Sequence, residues 1–264
     1  MIGNVHIMGI VNLTPDSFYG ASRVREADVI ARIQEMSADG ADVIDLGACS
    51  TRPGSPQPSL EEEWSRLEPA LEEIRGYSPK ISIDTYRSEI VRRAYEIIGP
   101  FIVNDISAGN IDSQMLTTVG QLGLPYIAMH MRGTPENMQL FTHYTDIVDD
   151  VKAYFREFAQ RAADAGIKEW ILDPGFGFSK TLDQNYELLS RLSELQELGR
   201  EILVGISRKS MIYKKLSITP EEALPATQVL HQAALERGAT WLRVHDVAPA
   251  VQTALLHQSM LAAK

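Results

Sequence analysis

Short apolar runs rich in Ile and Val recur along the chain, each followed by a longer amphipathic stretch. The runs are Val5–Val11, Asp42–Leu46, Lys80–Ile83, Phe101–Val103, Pro125–Met129, Trp170–Leu172, Ile202–Ile206 and Thr240–Val244. Continuous apolar runs of this length predict strands buried on both faces, as in a parallel sheet. Helical spacing marks the stretches between them. Glu26–Ala38 repeats Val29, Ile30, Ile33 and Met36, and Leu60–Ile74 sets Leu60, Trp64, Leu67, Leu71 and Ile74 on one face. Thr145–Ala165, Thr181–Leu198, Pro220–Arg237 and Val247–Ala262 read the same way. Ser59 and Glu62 form a capping-box pair ahead of one helix, and Thr219-Pro220-Glu221-Glu222 caps another with proline at its first position. Gly40, Gly166 and Gly238 fall where helices should stop.

Eight strand–helix repeats within 264 residues are the arithmetic of a (β/α)8 barrel, an α/β fold whose active site lies at the C-terminal ends of the strands. The structural alternative is an open, doubly wound sheet, which usually carries a glycine-rich first turn. Here the first turn is Asn12-Leu13-Thr14-Pro15-Asp16, which is not one. Since no Gly/Ser linker divides the chain, residues 1–264 are expected to form one domain. Arg52–Ser59, the segment richest in Pro and Ser, comes after the second strand and is expected to be a long loop on the active face.

Composition narrows the function classes. Lys and Arg number 25 against 35 Asp and Glu, for a net charge of −10, which disfavours nucleic acid as a partner because phosphate backbones demand a basic footprint. The one cysteine, Cys49, excludes an internal disulfide framework and any multi-cysteine zinc or iron–sulfur site. No apolar run reaches the roughly 20 residues of a membrane helix, and Met1–Val11 lacks a basic leader, so a soluble cytoplasmic protein is the expectation.

The ends of the predicted strands carry the chemistry. Strand one ends in Asn12, strand two at Asp45, strand three in Asp84-Thr85, and strand four in Asn104-Asp105. Strand five ends in Met129-His130, six in Asp173-Pro174-Gly175, seven in Ser207-Arg208-Lys209-Ser210, and eight in Arg243-Val244-His245-Asp246. In a barrel these ends share one face, so polar groups scattered over the whole chain converge on one mouth. One polar residue at a strand end is commonly a turn former; eight of eight is a poor match to turn chemistry alone.

Taken in order, Asn12-Leu13-Thr14-Pro15-Asp16-Ser17-Phe18, Asp45-Leu46-Gly47, Ser50-Thr51-Arg52-Pro53-Gly54, Ile83-Asp84-Thr85, Asn104-Asp105-Ile106, Met129-His130-Met131, Asp173-Pro174-Gly175-Phe176-Gly177-Phe178, Ser207-Arg208-Lys209-Ser210 and Arg243-Val244-His245-Asp246 resemble the motifs of the dihydropteroate synthase family. The resemblance runs from Met8 to about the C-terminal helix. It implies an enzyme of folate biosynthesis, a transferase that joins 6-hydroxymethyl-7,8-dihydropterin diphosphate to p-aminobenzoate and releases pyrophosphate. It further implies Mg2+ accompanying the diphosphate, competition by sulfonamides at the aminobenzoate site, and a homodimer, which the apolar stretches Val229–Leu235 and Val251–Leu256 would permit.

The resemblance also implies roles. Asp173 would accept the two donors of the pterin edge, as a carboxylate can do bidentately. Asn104 and Lys209 would meet the other pterin heteroatoms, with Met129 packing nearby. Asp84 would lie by the ring that becomes cationic as diphosphate leaves, stabilising it electrostatically. Arg243 and His245, two apart and facing one way, would hold the diphosphate, and Asn12 would help hold the metal. Asp84, Lys209, Arg243 and His245 thus form the expected catalytic set. Thr51, Arg52, Phe178 and Ser207 would hold p-aminobenzoate, Phe178 against the ring and Ser207 at the carboxylate. The helix start just after Ser207 adds donors suited to an anion. The prolines of Arg52–Pro58 suggest a lid that orders with ligand. His130 is placed outside the catalytic set, as a support for the loop after strand five.

Three departures from the family pattern stand out. Ser179 replaces the glycine that usually precedes Lys180, and Cys49 stands where glutamate is frequent. Family members usually begin with a hairpin that plugs the barrel bottom; here only Met1–Asn4 precede strand one, so the bottom is expected to be open or covered by another element, and stability to be lower. Two rival functions share the barrel: a pterin-dependent methyltransferase and a non-catalytic pterin binder. Thr51-Arg52-Pro53, Ser207-Arg208-Lys209 and the Arg243/His245 pair argue against the first, and retention of Asp84, Lys209 and Arg243 against the second. A dinucleotide-binding oxidoreductase fails on motif, since Gly175-Phe176-Gly177-Phe178 lacks the third glycine.

Overall fold

A computed structural model describes residues 2–13, 29–49, 57–76 and 80–263. Its strands are β1 (His6–Asn12), β2 (Val43–Gly47), β3 (Lys80–Asp84), β4 (Ile102–Asp105), β5 (Tyr126–Met129), β6 (Trp170–Asp173), β7 (Leu203–Val204) and β8 (Trp241–Val244). All ladders are parallel, and β1 pairs with both β2 and β8, so the first and last strands are neighbours. One bridge, Leu172 to Ile202, joins β6 to the short β7 and completes a (β/α)8 barrel rather than an open sheet.

The helices are α1 (Val29–Ala38), α2 (Leu60–Glu73), α3 (Ser88–Ile98), α4 (Met115–Leu122), α5 (Ile147–Asp164), α6 (Leu182–Ser190), α7 (Ser210–Leu216), α8 (Leu224–Glu236) and α9 (Val247–Ala262). The Ser59–Glu62 capping box opens α2, and Gly40, Gly166 and Gly238 take positive φ just past helix ends. Asp146 caps α5 just inside the predicted start, accepting from the N–H groups of Val148 and Asp149. The run Thr181–Leu198 divides into α6 and a 3-10 segment, Leu192–Leu198.

Alternation along the strands sorts two apolar layers. One set, including Ile7, Val11, Ile44, Leu46, Ile83, Val103, Tyr126, Leu172 and Val244, points outward into the shell of helices and joins the main core. The other set points into the barrel, where Met8, Val43, Ile127, Ile171, Leu203 and Trp241 form a separate apolar floor. Two residues further along three of these strands, the inward positions turn polar: Asp45, Asp173 and Arg243. Period-two geometry therefore stacks a polar layer on an apolar one, and the fold aims its chemistry at the C-terminal mouth.

At the opposite end, the strand starts surround a cavity of about 570 Å³, lined by His6, Phe101, Tyr126, Trp170, Trp241 and neighbouring residues. His6 stacks on Trp241 with ring centroids 4.3 Å apart.

Candidate active site

Register brings four strand ends level. Asn12 pairs with Gly47, Gly47 with Asp84, and Asp84 with Asn104, so these positions form one row across β1 to β4. Gly47 contributes no side chain there; a Cβ on it would lie 3.7 Å from Asp84 Oδ2 and 3.8 Å from Asn12 Oδ1. Its absence leaves the Asn12 and Asp84 oxygens facing a common space.

Arg243 reaches across the mouth from β8. Its Nε donates to Asp45 Oδ2 at 2.7 Å, and its Nη2 lies 2.6 Å from both Asp45 Oδ2 and Asp84 Oδ2. Nη1 has no acceptor among the described residues, and 19% of the side chain is open to the mouth. Asp45 also accepts from Asn104 Nδ2 at 3.2 Å, which orients that amide with its oxygen directed away from Asp45. Asp45 is fully buried and central to this network. It lies inside β2 rather than at its end, and the sequence sets it among the strand-end polar groups without giving it a role. The signal that could have found it is position: an ionisable residue two before Gly47, on the same inward face, in an apolar strand.

Burial raises the Asp84 carboxyl, opposed by Arg243 and reinforced by the Asp45 charge, to about 7. Burial works against the Arg243 charge, but Asp45 and Asp84 overcome it and hold the guanidinium ionised. Burial likewise raises Asp173 against the pull of Lys209, and lowers Lys209 to about 8 against the pull of Asp173.

Asp173 ends β6 and accepts from the Gly175 N–H at 2.8 Å through Oδ1. The Lys209 ammonium donates to Phe176 O at 2.6 Å and lies 4.7 Å from the Phe178 ring centroid. Met129 and Phe178 join Tyr86, Ile106, Met131 and Met138 in an apolar patch at the same face. Thus Asp84, Asn104, Asp173, Lys209, Arg243, Met129 and Phe178, predicted separately, share one mouth.

His245 and Ser207 sit together. Ser207 Oγ accepts from the His245 backbone N–H at 3.3 Å and lies 3.2 Å from Nδ1. An oxygen that accepts from N–H can donate its own hydrogen to Nδ1, which places the ring proton on Nε2. Burial and the Arg243 charge lower His245 to about 4, which favours the neutral imidazole. The intervening Arg208 holds a left-handed backbone, φ +53°, and grips both carboxylate oxygens of Asp246 at 2.7 and 2.9 Å. This turn sends Ser207 toward β8 and Lys209 toward the loop after β6, and α7 begins directly after Lys209.

Thr51 and Arg52 lie outside the described residues, as does most of the expected lid. The C-terminal edge of that loop is anchored: Arg87 donates to Pro58 O and pairs with Glu63, a fully buried carboxylate that also accepts from Thr85 Oγ1 at 2.6 Å. Cys49 is half-buried, and burial together with Glu63 pushes its thiol well above its usual range, which suits a packing role rather than a reactive one.

A family model described as pterin binding enzyme matches residues 8–245. The dihydropteroate synthase of Escherichia coli (strain K12) is 39% identical across all of this chain and 94% of its own length. The chain belongs to the dihydropteroate synthase family. Among solved structures, the Yersinia pestis dihydropteroate synthase in complex with a sulfonamide drug superposes with a TM-score of 0.94 at 34% identity, covering 99% of this chain and 96% of that one. The Xanthomonas albilineans dihydropteroate synthase with 4-aminobenzoic acid gives 0.89 at 36% identity, covering 99% and 94%. As a dihydropteroate synthase family member the chain is a transferase of folate biosynthesis, and the methyl-transferring alternative is not favoured.

Proposed function

We propose that the chain condenses 6-hydroxymethyl-7,8-dihydropterin diphosphate with p-aminobenzoate, giving 7,8-dihydropteroate and pyrophosphate. The observation that carries this reading is the Asp45–Arg243–Asp84 network in register with Asn104, facing Asp173 and Lys209 across one mouth. It offers acceptors for an electron-poor ring beside donors for an anionic leaving group.

The pterin edge donates to the Asp173 carboxylate. Asn104, its amine tied to Asp45, presents its oxygen to a further ring donor, and Lys209 exchanges Phe176 O for a ring acceptor. Met129 supplies apolar contact. The methylene C–O bond then breaks, and diphosphate departs with the electron pair. The resulting cation is stabilised by the Asp84 carboxylate. Arg243, locked on its Nε and Nη2 sides, turns Nη1 toward the diphosphate, and His245 adds a neutral donor. The aminobenzoate amine attacks the methylene carbon and loses a proton to solvent. Its ring packs on Phe178, and its carboxylate is drawn to the Thr51–Arg52 loop and to the Ser207–α7 turn. Because proximity and charge stabilisation account for such a path, it needs no strong general base.

Asn12 Oδ1 and the space over Gly47 fit Mg2+ in the way Mg2+ normally binds, through one or two protein oxygens, substrate phosphates and retained water. No cluster of three His, Cys, Asp or Glu that could hold a metal occurs among the described residues, so the substrate's oxygens would complete its shell. When bound, the ion would neutralise charge on the diphosphate. Sulfonamides, as aminobenzoate mimics, would compete for the Phe178 wall. The exposed side chains Val229 on α8 and Leu256 on α9, 68% and 67% accessible, support a homodimer through these helices. No helix among the described residues is long and apolar enough to cross a membrane.

The test is product formation from the pterin diphosphate, p-aminobenzoate and Mg2+, following dihydropteroate by chromatography and pyrophosphate in parallel. Product that vanishes in Asp84→Asn and Lys209→Ala supports the assignment. Pterin binding by folded protein without product overturns it in favour of a binder or another transferase.

A further inference from the structure

Lys180 is a buried amino group for which the proposed reaction has no use. Its Nζ lies 2.9 Å from His130 Nδ1 and donates to Gly175 O and Phe178 O, each at 3.0 Å. It therefore spans the whole loop after β6 from beneath and fixes that loop to the end of β5. The two segments touch closely: a Cβ on Gly175, at φ +70°, would lie 2.1 Å from His130 O. The His130 N–H in turn donates to Asp173 O at 2.9 Å.

Ser179, beside it, reinforces the same seam. Its backbone is left-handed at φ +46°, a conformation that glycine adopts without strain and serine does not. Its Oγ accepts from the Arg132 N–H at 3.0 Å and lies 3.2 Å from the Tyr144 hydroxyl, which also donates to Ser179 O at 3.0 Å. The serine thus spends backbone strain to bond the segment between β5 and α5.

We infer that Lys180, assisted by Ser179, is a positioning residue that holds the Gly175–Phe178 loop against β5 and so keeps Asp173 and Phe178 in substrate-binding geometry. The other side-chain bond to this loop comes from Lys209, which donates to Phe176 O and, under the proposed function, also serves substrate, whereas Lys180 serves the loop alone. With Lys209 withdrawn, Lys180 retains the carbonyls on either side, Gly175 O and Phe178 O. The inference rests on Asp173 and Phe178 being substrate contacts; failure of that reading would show separately, as absence of product from the unmodified enzyme.

Steady-state kinetics on Lys180→Met, with a thermal melt on each preparation, tests this. The expected result is a KM raised about tenfold for both substrates, with kcat at saturation held within about twofold, because positioning of bound groups and not the chemistry is lost. A folded Lys180→Met enzyme with both KM values within about twofold of the unmodified enzyme overturns the inference. If Lys180→Met does not fold, Ser179→Ala and Ser179→Gly decide. Alanine removes the hydroxyl bonds and keeps the strain, whereas glycine removes both. A KM rise of about threefold or more in both variants supports the clamp, and unchanged KM values in both refute it.

Discussion

Replacing Asp45 with asparagine separates its electrostatic role from its shape. The substitution keeps an acceptor for Arg243 and Asn104 but removes a charge that raises Asp84. Both carboxylate oxygens sit 2.6 Å from the same Arg243 nitrogen, so they lie at most about 5 Å apart. Two unit charges at that distance, with an effective dielectric constant of about 20, repel by about 3 kcal/mol, equivalent to roughly two pH units. In the unmodified enzyme burial raises Asp84 to about 7, and under the proposed mechanism its carboxylate is the form that stabilises the departing cation. Activity is therefore present above that value and lost as pH falls through it. In Asp45→Asn the acidic limb of kcat should move to lower pH by about one to two units, even though the rate on the plateau falls because Arg243 is held less firmly. The assay is initial-rate pyrophosphate release at saturating substrates from about pH 5 to pH 9, with both proteins in one buffer series. An acidic limb that stays in place, or moves upward, would refute the coupling between the two carboxylates.

Arg243→Met should cut kcat/KM by at least about a hundredfold while aminobenzoate binding persists, since the guanidinium meets only the leaving group and the carboxylates; calorimetric titration with each substrate distinguishes the two. Tyr126→Phe removes a buried hydroxyl that donates to Asp105 at 2.5 Å, and should cost about 1.5–3 kcal/mol in urea unfolding with kcat little changed. His231 is fully buried, and burial lowers it to about 4. Between about pH 6.5 and 4 the unfolded chain takes up that proton first, so stability falls as pH falls through this window; His231→Gln should flatten the dependence of Tm on pH there. Omitting Mg2+ should raise KM for the pterin diphosphate far more than for p-aminobenzoate, a split that steady-state kinetics would reveal.

The strand–helix alternation is readable in the sequence because burial on both faces leaves long Ile/Val runs that few other folds produce. α4 and α7 carry a weaker signal because they are short, whereas α3 sets Ile90, Val91 and Ala94 inward and Arg92 and Arg93 toward the surface, an amphipathic pattern that the sequence reading leaves unassigned. The apolar run predicts β7 over Ile202–Ile206; only Leu203 and Val204 pair with β8, while the next inward position, Gly205, lies beside Arg243 and Lys209. Asp84 and Asp173 are legible because a carboxylate after an apolar run has no packing reason to be there. The roles of Asp45 and Glu63 are not, because they lie in partners that only the fold supplies. Asp45 meets Arg243 from the far end of the sequence, and Glu63 sits on the inward face of an otherwise ordinary capped helix. The Arg243/His245 pair is legible from its spacing, but the charge state of His245 is not, since burial and proximity to Arg243, which only the fold supplies, both favour the neutral imidazole.

A single β-bridge joins β6 to β7, whereas every other pair of neighbouring strands shares a ladder. The barrel is therefore a hoop with one weak stave. Asp173 and Phe178 stand on one side of that joint, and Ser207 and Lys209 on the other. Under the proposed function, a pterin held between Asp173 and Lys209 would add lateral bonds across the joint where the backbone supplies fewest. Amide hydrogens around Leu172 and Ile202 should exchange faster than those of β1 and β2 in the empty enzyme, and should slow most when substrate is bound.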